Sequence, residues 1–230
     1  VENVQQTNND LEAFYNSVAD DLRRPIGEMM EFTRRLLEID NNQLDMQAHH
    51  FLQVISSSGK KATEIIDSLL MLLAIMSKEE VEIRPLNMRP IILLVTQQLE
   101  SETKKHYGSI TVPDKLPDVL GYSPWIKEVW MNYLSNGLKY GGVPANLEIG
   151  SEVKDGMVKY WVRDHGEGMD ENKASTLFVE ALRLDKHRCR DGHGFGLSIV
   201  HRIITKLGGK VGVESKVGKG SRFWFTLPRP

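Results

Sequence analysis

Cysteine is scarce in this sequence: the single Cys189 cannot close an internal disulfide and has no partnered base, so it reads as an inert or lid-exposed thiol suited to a reducing compartment such as the cytoplasm. No stretch approaches the roughly 20 apolar residues of a membrane-spanning helix. No signal peptide opens the chain, and its first residue is Val rather than Met, which points to a piece of a longer protein with sensor or membrane segments upstream. An excess of charge is missing as well. With 29 Lys and Arg against 31 Asp and Glu, the surface gives no electrostatic reason to bind nucleic acid or an anionic membrane. His187, Cys189 and His193 lack the paired spacing of a metal site, and His49 and His50 lie on a helical stripe with no partner that would activate them.

What is present divides near residue 80. In the first part Leu11, Tyr15, Val18, Leu22, Ile26, Met29 and Leu36 recur every three or four residues with charge between them, as on one amphipathic helix. A second stripe runs through Ala48, Phe51, Ile55, Ala62, Ile65, Leu69, Leu72 and Met76, and Asp40-Asn41-Asn42 supplies the turn between the two. Two helices bury little core by themselves, so residues 1–79 read as a hairpin that pairs with a second copy into a four-helix bundle. Pro25 lies inside the first helix, where it removes a backbone hydrogen bond and predicts a kink.

Residues 80–89 lose the stripe, gather charge and contain Pro85, and read as a linker. Beyond it the pattern mixes helices and strands. Pro90 opens an apolar helix reaching Leu99, Ile110 to Val112 and Val119-Leu120 are short strands, and Ser123-Pro124 begins another helix. Residues 147–153 and 157–162 alternate around Asp155-Gly156, a hairpin signal, and residues 211–215 and 222–227 form a second pair. The expected fold class is therefore α + α/β: a dimerising helical hairpin, then an α/β sandwich over residues 90–230 with helices on one sheet face.

Three islands in that second part carry chemistry. Asn132 and Asn136 sit four apart on one helix face, with Lys139 and Tyr140 a turn later. A carboxamide oxygen there can complete a Mg²⁺ octahedron whose other ligands are waters and phosphate oxygens, and Lys139 offers a point charge to phosphate. Asp164-His165-Gly166-Glu167-Gly168 follows the apolar strand end Tyr160-Trp161-Val162. A buried carboxylate there, beside glycines that admit a close approach, suits an adenine amino group. Gly192, Gly194 and Gly196 then run through Leu197 into an apolar helix, offering backbone amides and a helix N-terminus to phosphates. The glycine spacing also suits a dinucleotide fold, but no βαβ unit precedes it.

In this order the islands resemble the ATP-binding half of sensor histidine kinases and their GHKL relatives. The ending Gly218-Lys219-Gly220-Ser221-Arg222-Phe223-Trp224-Phe225-Thr226-Leu227-Pro228 is similar to the terminal kinase pattern, and Ala19-Asp20-Asp21-Leu22-Arg23-Arg24-Pro25-Ile26 resembles the kinase H box. The resemblance implies that ATP and Mg²⁺ are cofactors, with Asn136 as the magnesium ligand. Asn132, Lys139, Tyr140, Asp164, Gly166, Gly168, Gly192, Gly194, Gly196 and Leu197 then line the nucleotide site. Phe178 falls at the F-box position, without the usual following Pro and second Phe. The basic run Arg183, Lys186, Arg188 and Arg190 reads equally as a γ-phosphate clamp or a solvated loop.

The resemblance also carries departures. Asp20 stands where the family has its phospho-accepting histidine, Asp21 at the acidic neighbour that orients the imidazole, and Arg24 where Thr or Asn assists dephosphorylation. A carboxylate brings negative charge against an anionic phosphate, so autophosphorylation at Asp20 is expected to fail. Hydrolytic GHKL members carry a Glu four residues before the magnesium Asn; here that position is Asn132, which favours transfer to a protein side chain over fast hydrolysis. The expected function is the signalling core of a two-component kinase, a homodimer with a response-regulator receiver as partner. The alternatives are an ATP-binding pseudokinase acting by shape and dimerisation, or a GHKL kinase acting in trans.

Overall fold

The computed structural model describes residues 22–36, 46–77, 81–182 and 196–230. Of these, residues 22–36 and 46–77 fall in one compact unit and residues 81–182 and 196–230 in a second. In the first, helix α1 (residues 22–36) pairs with α2 (Met46–Ser77). Arg23 Nε donates to Asp67 Oδ1 at 3.1 Å, while a side chain on Gly59 would run into Met30 at 2.7 Å. Advancing along α1 from Arg23 to Met30 thus means retreating along α2 from Asp67 to Gly59, as antiparallel helices require. Gly59 leaves the room that the Met30 side chain fills. Pro25 lies in the first described turn of α1, and the bond it cannot make would go to residue 21, outside the described residues, as does the expected turn at 40–42.

The packing leaves much of the apolar stripe uncovered in the single chain. Ile66, Leu72 and Ile75 are buried, but Leu22, Met29, Phe32, Leu36, Phe51, Ile55, Leu69 and Met76 are exposed.

The second unit begins within the stretch expected to be a linker: β1 (Arg84–Leu86) pairs antiparallel with β3 (Val119–Gly121), flanking α3 (Met88–Gln98), α4 (Glu100–Lys105) and β2 (Ser109–Thr111). Asn87 caps α3 by accepting from the Arg89 amide at 3.0 Å, so the helix starts two residues before Pro90, which falls in its first turn. Next come α5 (Ser123–Tyr140), β4 (Asn146–Lys154), β5 (Met157–Arg163), α6 (Glu171–Leu182), α7 (Gly196–Lys206), β6 (Val211–Ser215) and β7 (Ser221–Pro228). Asp155 and Gly156 join β4 to β5 with φ of 50° and 74°, the paired left-handed conformations of a tight hairpin turn.

Five strands form one sheet in the order β2-β4-β5-β7-β6, antiparallel except where β2 runs parallel to β4. The period of two sorts the side chains. Val158, Tyr160 and Val162 of β5, with Phe225 and Leu227 of β7, turn inward and are buried with Trp130, Tyr133, Ile199, Val200, Ile203 and Ile204 from α5 and α7. Trp130 meets Tyr160 and Phe225 edge-on, at centroid distances of 5.9 and 5.3 Å. The opposite face carries Trp161 and Trp224, whose rings lie where a side chain on their cross-strand partners Gly150 and Gly212 would be. The Arg222 guanidinium sits 4.3 Å from the Trp161 ring and the Lys159 ammonium 4.5 Å from that of Trp224.

Candidate functional site

Asp164 follows the last residue of β5, where the chain leaves the sheet beside the β6–β7 turn. The position is nearly sealed, with 4% of the residue accessible. Its Oδ1 accepts two backbone amides, from Gly166 at 3.0 Å and Ser221 at 3.0 Å. Among the described residues no donor reaches Oδ2, so one oxygen is fixed and the other left to accept from a ligand. Burial pushes the carboxyl above the usual carboxylate range, and the two amides and nearby His165 oppose that rise.

Glycines make the corner possible because backbone fills the space that side chains would need. A Cβ on Gly220 would meet the Asp164 carbonyl oxygen at 2.1 Å, and one on Gly168 would meet that of Lys216 at 2.1 Å. Gly166 lies as tightly against the Tyr140 carbonyl oxygen at the end of α5. Gly168 and Gly220 also hold φ of 69° and 76°, which other residues resist. The Asp164 amide donates to Ser221 O at 2.9 Å and the Gly218 amide to Glu167 O at 2.6 Å, so the turn and the loop are stitched from both sides.

On α5 the two asparagines differ. Asn132 Nδ2 donates to the Glu128 carbonyl oxygen at 2.8 Å, and its Oδ1 occupies the place where Gly196, the first residue of α7, would carry a Cβ. Its nitrogen is thus bonded within α5 and its oxygen packs against the start of α7. Asn136, half-buried one turn on, has no side-chain partner among the described residues. An unengaged carboxamide oxygen is a fitting donor for a hard cation that keeps its waters, so Asn136 fits Mg²⁺. No group of three or more His, Cys, Asp or Glu that could hold a metal occurs among the described residues. Lys139 and Tyr140 are exposed at the end of α5, with the ammonium 4.9 Å from the ring centre. Glu128, one turn before Asn132, is pushed above the usual carboxylate range by burial.

Phe178 is half-buried on α6, Leu197 is half-buried in the first turn of α7, and Arg24 is exposed on α1. Asp20, Asp21, Gly192, Gly194 and the basic residues at 183, 186, 188 and 190 lie outside the described residues. The structure brings Tyr140, Asp164, Gly166 and Gly168 together at one corner, and sets Asn132 against Gly196. Ser221 and Ser215 were not among the expected site residues, although the terminal pattern containing Ser221 was the signal: its amide holds Asp164 from 57 positions away.

Residues 121–230 match the family described as Histidine kinase-, DNA gyrase B-, and HSP90-like ATPase. The adaptive-response sensory kinase SasA of Thermosynechococcus vestitus is 29% identical over 223 residues, covering 92% of this chain and 58% of the relative. Cyanobacterial phytochrome A of Nostoc sp. is 25% identical over 228 residues, 98% of this chain and 29% of the relative. The chain thus spans less than two thirds of either. Among solved structures, full-length ShkA in complex with AMPPNP superposes with a TM-score of 0.69 at 22% identity, over 94% of this chain and 45% of that one, a likeness of fold. Residues 121–230 thus carry a histidine kinase-, DNA gyrase B- and HSP90-like ATPase domain, and the chain as a whole is similar to sensor histidine kinases.

Proposed function

We propose that this chain is the two-component signalling core of a sensor histidine kinase that binds Mg²⁺-ATP at the Asp164 corner and has lost autophosphorylation at its H box. The observation that carries the nucleotide reading is the divided carboxylate of Asp164, with Oδ1 held by Gly166 and Ser221 and Oδ2 free for the adenine amino group. Tyr140 flanks the base, Lys139 offers charge to the phosphates, and Asn136 supplies a carboxamide oxygen to the metal. When bound, Mg²⁺ would supply positive charge against the charge that develops on the phosphates. Asn132 lines the same site one turn before Asn136 and packs against Gly196 at the start of α7.

In a kinase of this kind, transfer breaks the bond between the γ-phosphorus and the β,γ-bridging oxygen, leaves ADP, and forms a phosphorus–nitrogen bond on the acceptor imidazole; the phosphoryl group then passes to a receiver aspartate. Asp20 offers a carboxylate instead, which attacks an anionic phosphate poorly and would give a labile acyl phosphate. That substitution favours a second reading, an ATP-binding pseudokinase that signals through conformation and dimerisation. A GHKL kinase acting in trans uses the same nucleotide site. The exposed apolar residues of α1 and α2 support a homodimer, whose bundle near Asp20 is the docking place for a response-regulator receiver. No described helix is long and apolar enough to cross a membrane, and the single cysteine suits the cytoplasm.

The test is whether label from γ-labelled ATP becomes covalent on the chain and on Asp20→His with Mg²⁺ present. Acid-labile label on the variant alone means intact machinery lacking its acceptor. Label on neither, with ATP still bound, leaves the pseudokinase reading. Calorimetry finding no ATP or ADP affinity in the millimolar range would sink both.

A further inference from the structure

Ser215, the last residue of β6, has a hydroxyl that joins three pieces of chain. It accepts from the Met169 amide at 2.8 Å, donates to the Gly220 carbonyl oxygen at 3.1 Å, and lies 2.9 Å from the Ser221 hydroxyl. A hydroxyl has one proton to give and two lone pairs to offer. With the proton on Gly220 O, both lone pairs are taken by Met169 N–H and Ser221 O–H, so the capacity of Ser215 is full and the Ser221 proton is committed as well. Met169 ends the loop that Asp164 begins. Ser221 is the residue whose amide fixes Asp164 Oδ1.

We propose that Ser215 is a positioning residue for nucleotide binding, holding the loop of residues 164–169 against the β6–β7 turn so that the free oxygen of Asp164 keeps one place. The segments it joins contain Gly166, Gly168, Gly218 and Gly220, which have no side chains to hold a conformation, so hydrogen bonds and close backbone contact define the loop. Removing the hydroxyl leaves the Met169 amide without its acceptor and frees the Ser221 hydroxyl to turn. Asp164 keeps its two amides, but the loop that carries them is released at its far end. This inference rests on Asp164 as the adenine acceptor.

The test compares ATP with purine riboside triphosphate, which lacks the adenine amino group, by calorimetry on the 230-residue chain and on Ser215→Ala, Ser215→Thr and Ser215→Val. Thr and Val share a shape that suits a strand and differ in the hydroxyl, so the comparison survives if Ala impairs folding. The unsubstituted chain is expected to prefer ATP by about tenfold, the worth of a hydrogen bond to a charged group. Ala and Val shrink that preference to below about threefold by weakening ATP alone, and Thr retains it. Val retaining the full preference, or Val weakening both ligands in proportion, overturns the positioning role and leaves Asp164 in place. Equal affinity for both ligands in the unsubstituted chain instead overturns Asp164 as the adenine acceptor, and the role of Ser215 with it.

Discussion

The two units of this chain treat the same kind of residue in opposite ways. In the sandwich Trp130, Tyr133, Tyr160 and Phe225 are sealed between helices and sheet, whereas in the hairpin Phe32, Phe51 and Met76 stand 62%, 61% and 62% exposed. The sandwich encloses its own core. The hairpin has a sequence pattern suited to a core and leaves much of it uncovered in the single chain, which is the ground for proposing that another copy completes it.

Truncating aromatics on each side should separate the two behaviours most strongly. Phe225→Ala is expected to destabilise the sandwich by about 3–5 kcal/mol in denaturant unfolding, since it empties a closed core. Phe32→Ala and Phe51→Ala should leave sandwich unfolding unchanged and shift self-association in sedimentation; if they destabilise the chain at concentrations where it is monomeric, the contrast is broken.

Asp164→Asn sharpens the contrast within the sandwich between stability and function. Asparagine keeps an oxygen for the Gly166 and Ser221 amides, so the fold persists, but it turns an NH2 donor toward the amino group of the base. ATP affinity should drop about tenfold or more by calorimetry. The same variant has a pH signature. The folded-state pKa of Asp164 is raised, so below the ordinary carboxylate range its burial carries no charge penalty, and as pH rises through the raised value the penalty appears and stability falls. Asp164→Asn should remove that decline; an unchanged acid-side slope would show that the carboxyl titrates normally. The smallest effect belongs to the hairpin: the Arg23–Asp67 pair is half-exposed, and Arg23→Ala should change stability by no more than about 1 kcal/mol, less in salt.

How much of this was legible in the sequence follows from how local each signal is. The β4–β5 hairpin announced itself through Asp155-Gly156, and α5 through Ser123-Pro124 and its asparagine spacing, because neighbouring residues set turn dihedrals and helix faces. The three residues of β1 hid in a charged stretch, since a strand that short shows no alternation and is defined by Val119–Gly121 on the other side. The place of β2 beside β4 was equally silent. At the site, Asp164 and its glycines were visible as a motif, but the amide that fixes Asp164 comes from Ser221, and the hydroxyl at the loop's far end from Ser215. Those bonds depend on strand register across the sheet. The role of Asn132 as a brace to Gly196 was hidden for the same reason, although both residues were read as part of the site.

The tryptophans on the open sheet face constrain how this sequence can drift. Each indole fills the room left by a glycine on the adjacent strand, Trp161 over Gly150 and Trp224 over Gly212, so a methyl group at either glycine would collide with a ring. Enlarging the glycine first forces the indole from its seat, and shrinking the tryptophan first bares a strand weakened by glycine. Each pair should therefore change only as a unit, so that relatives of this chain carry both members at each site or replace both together.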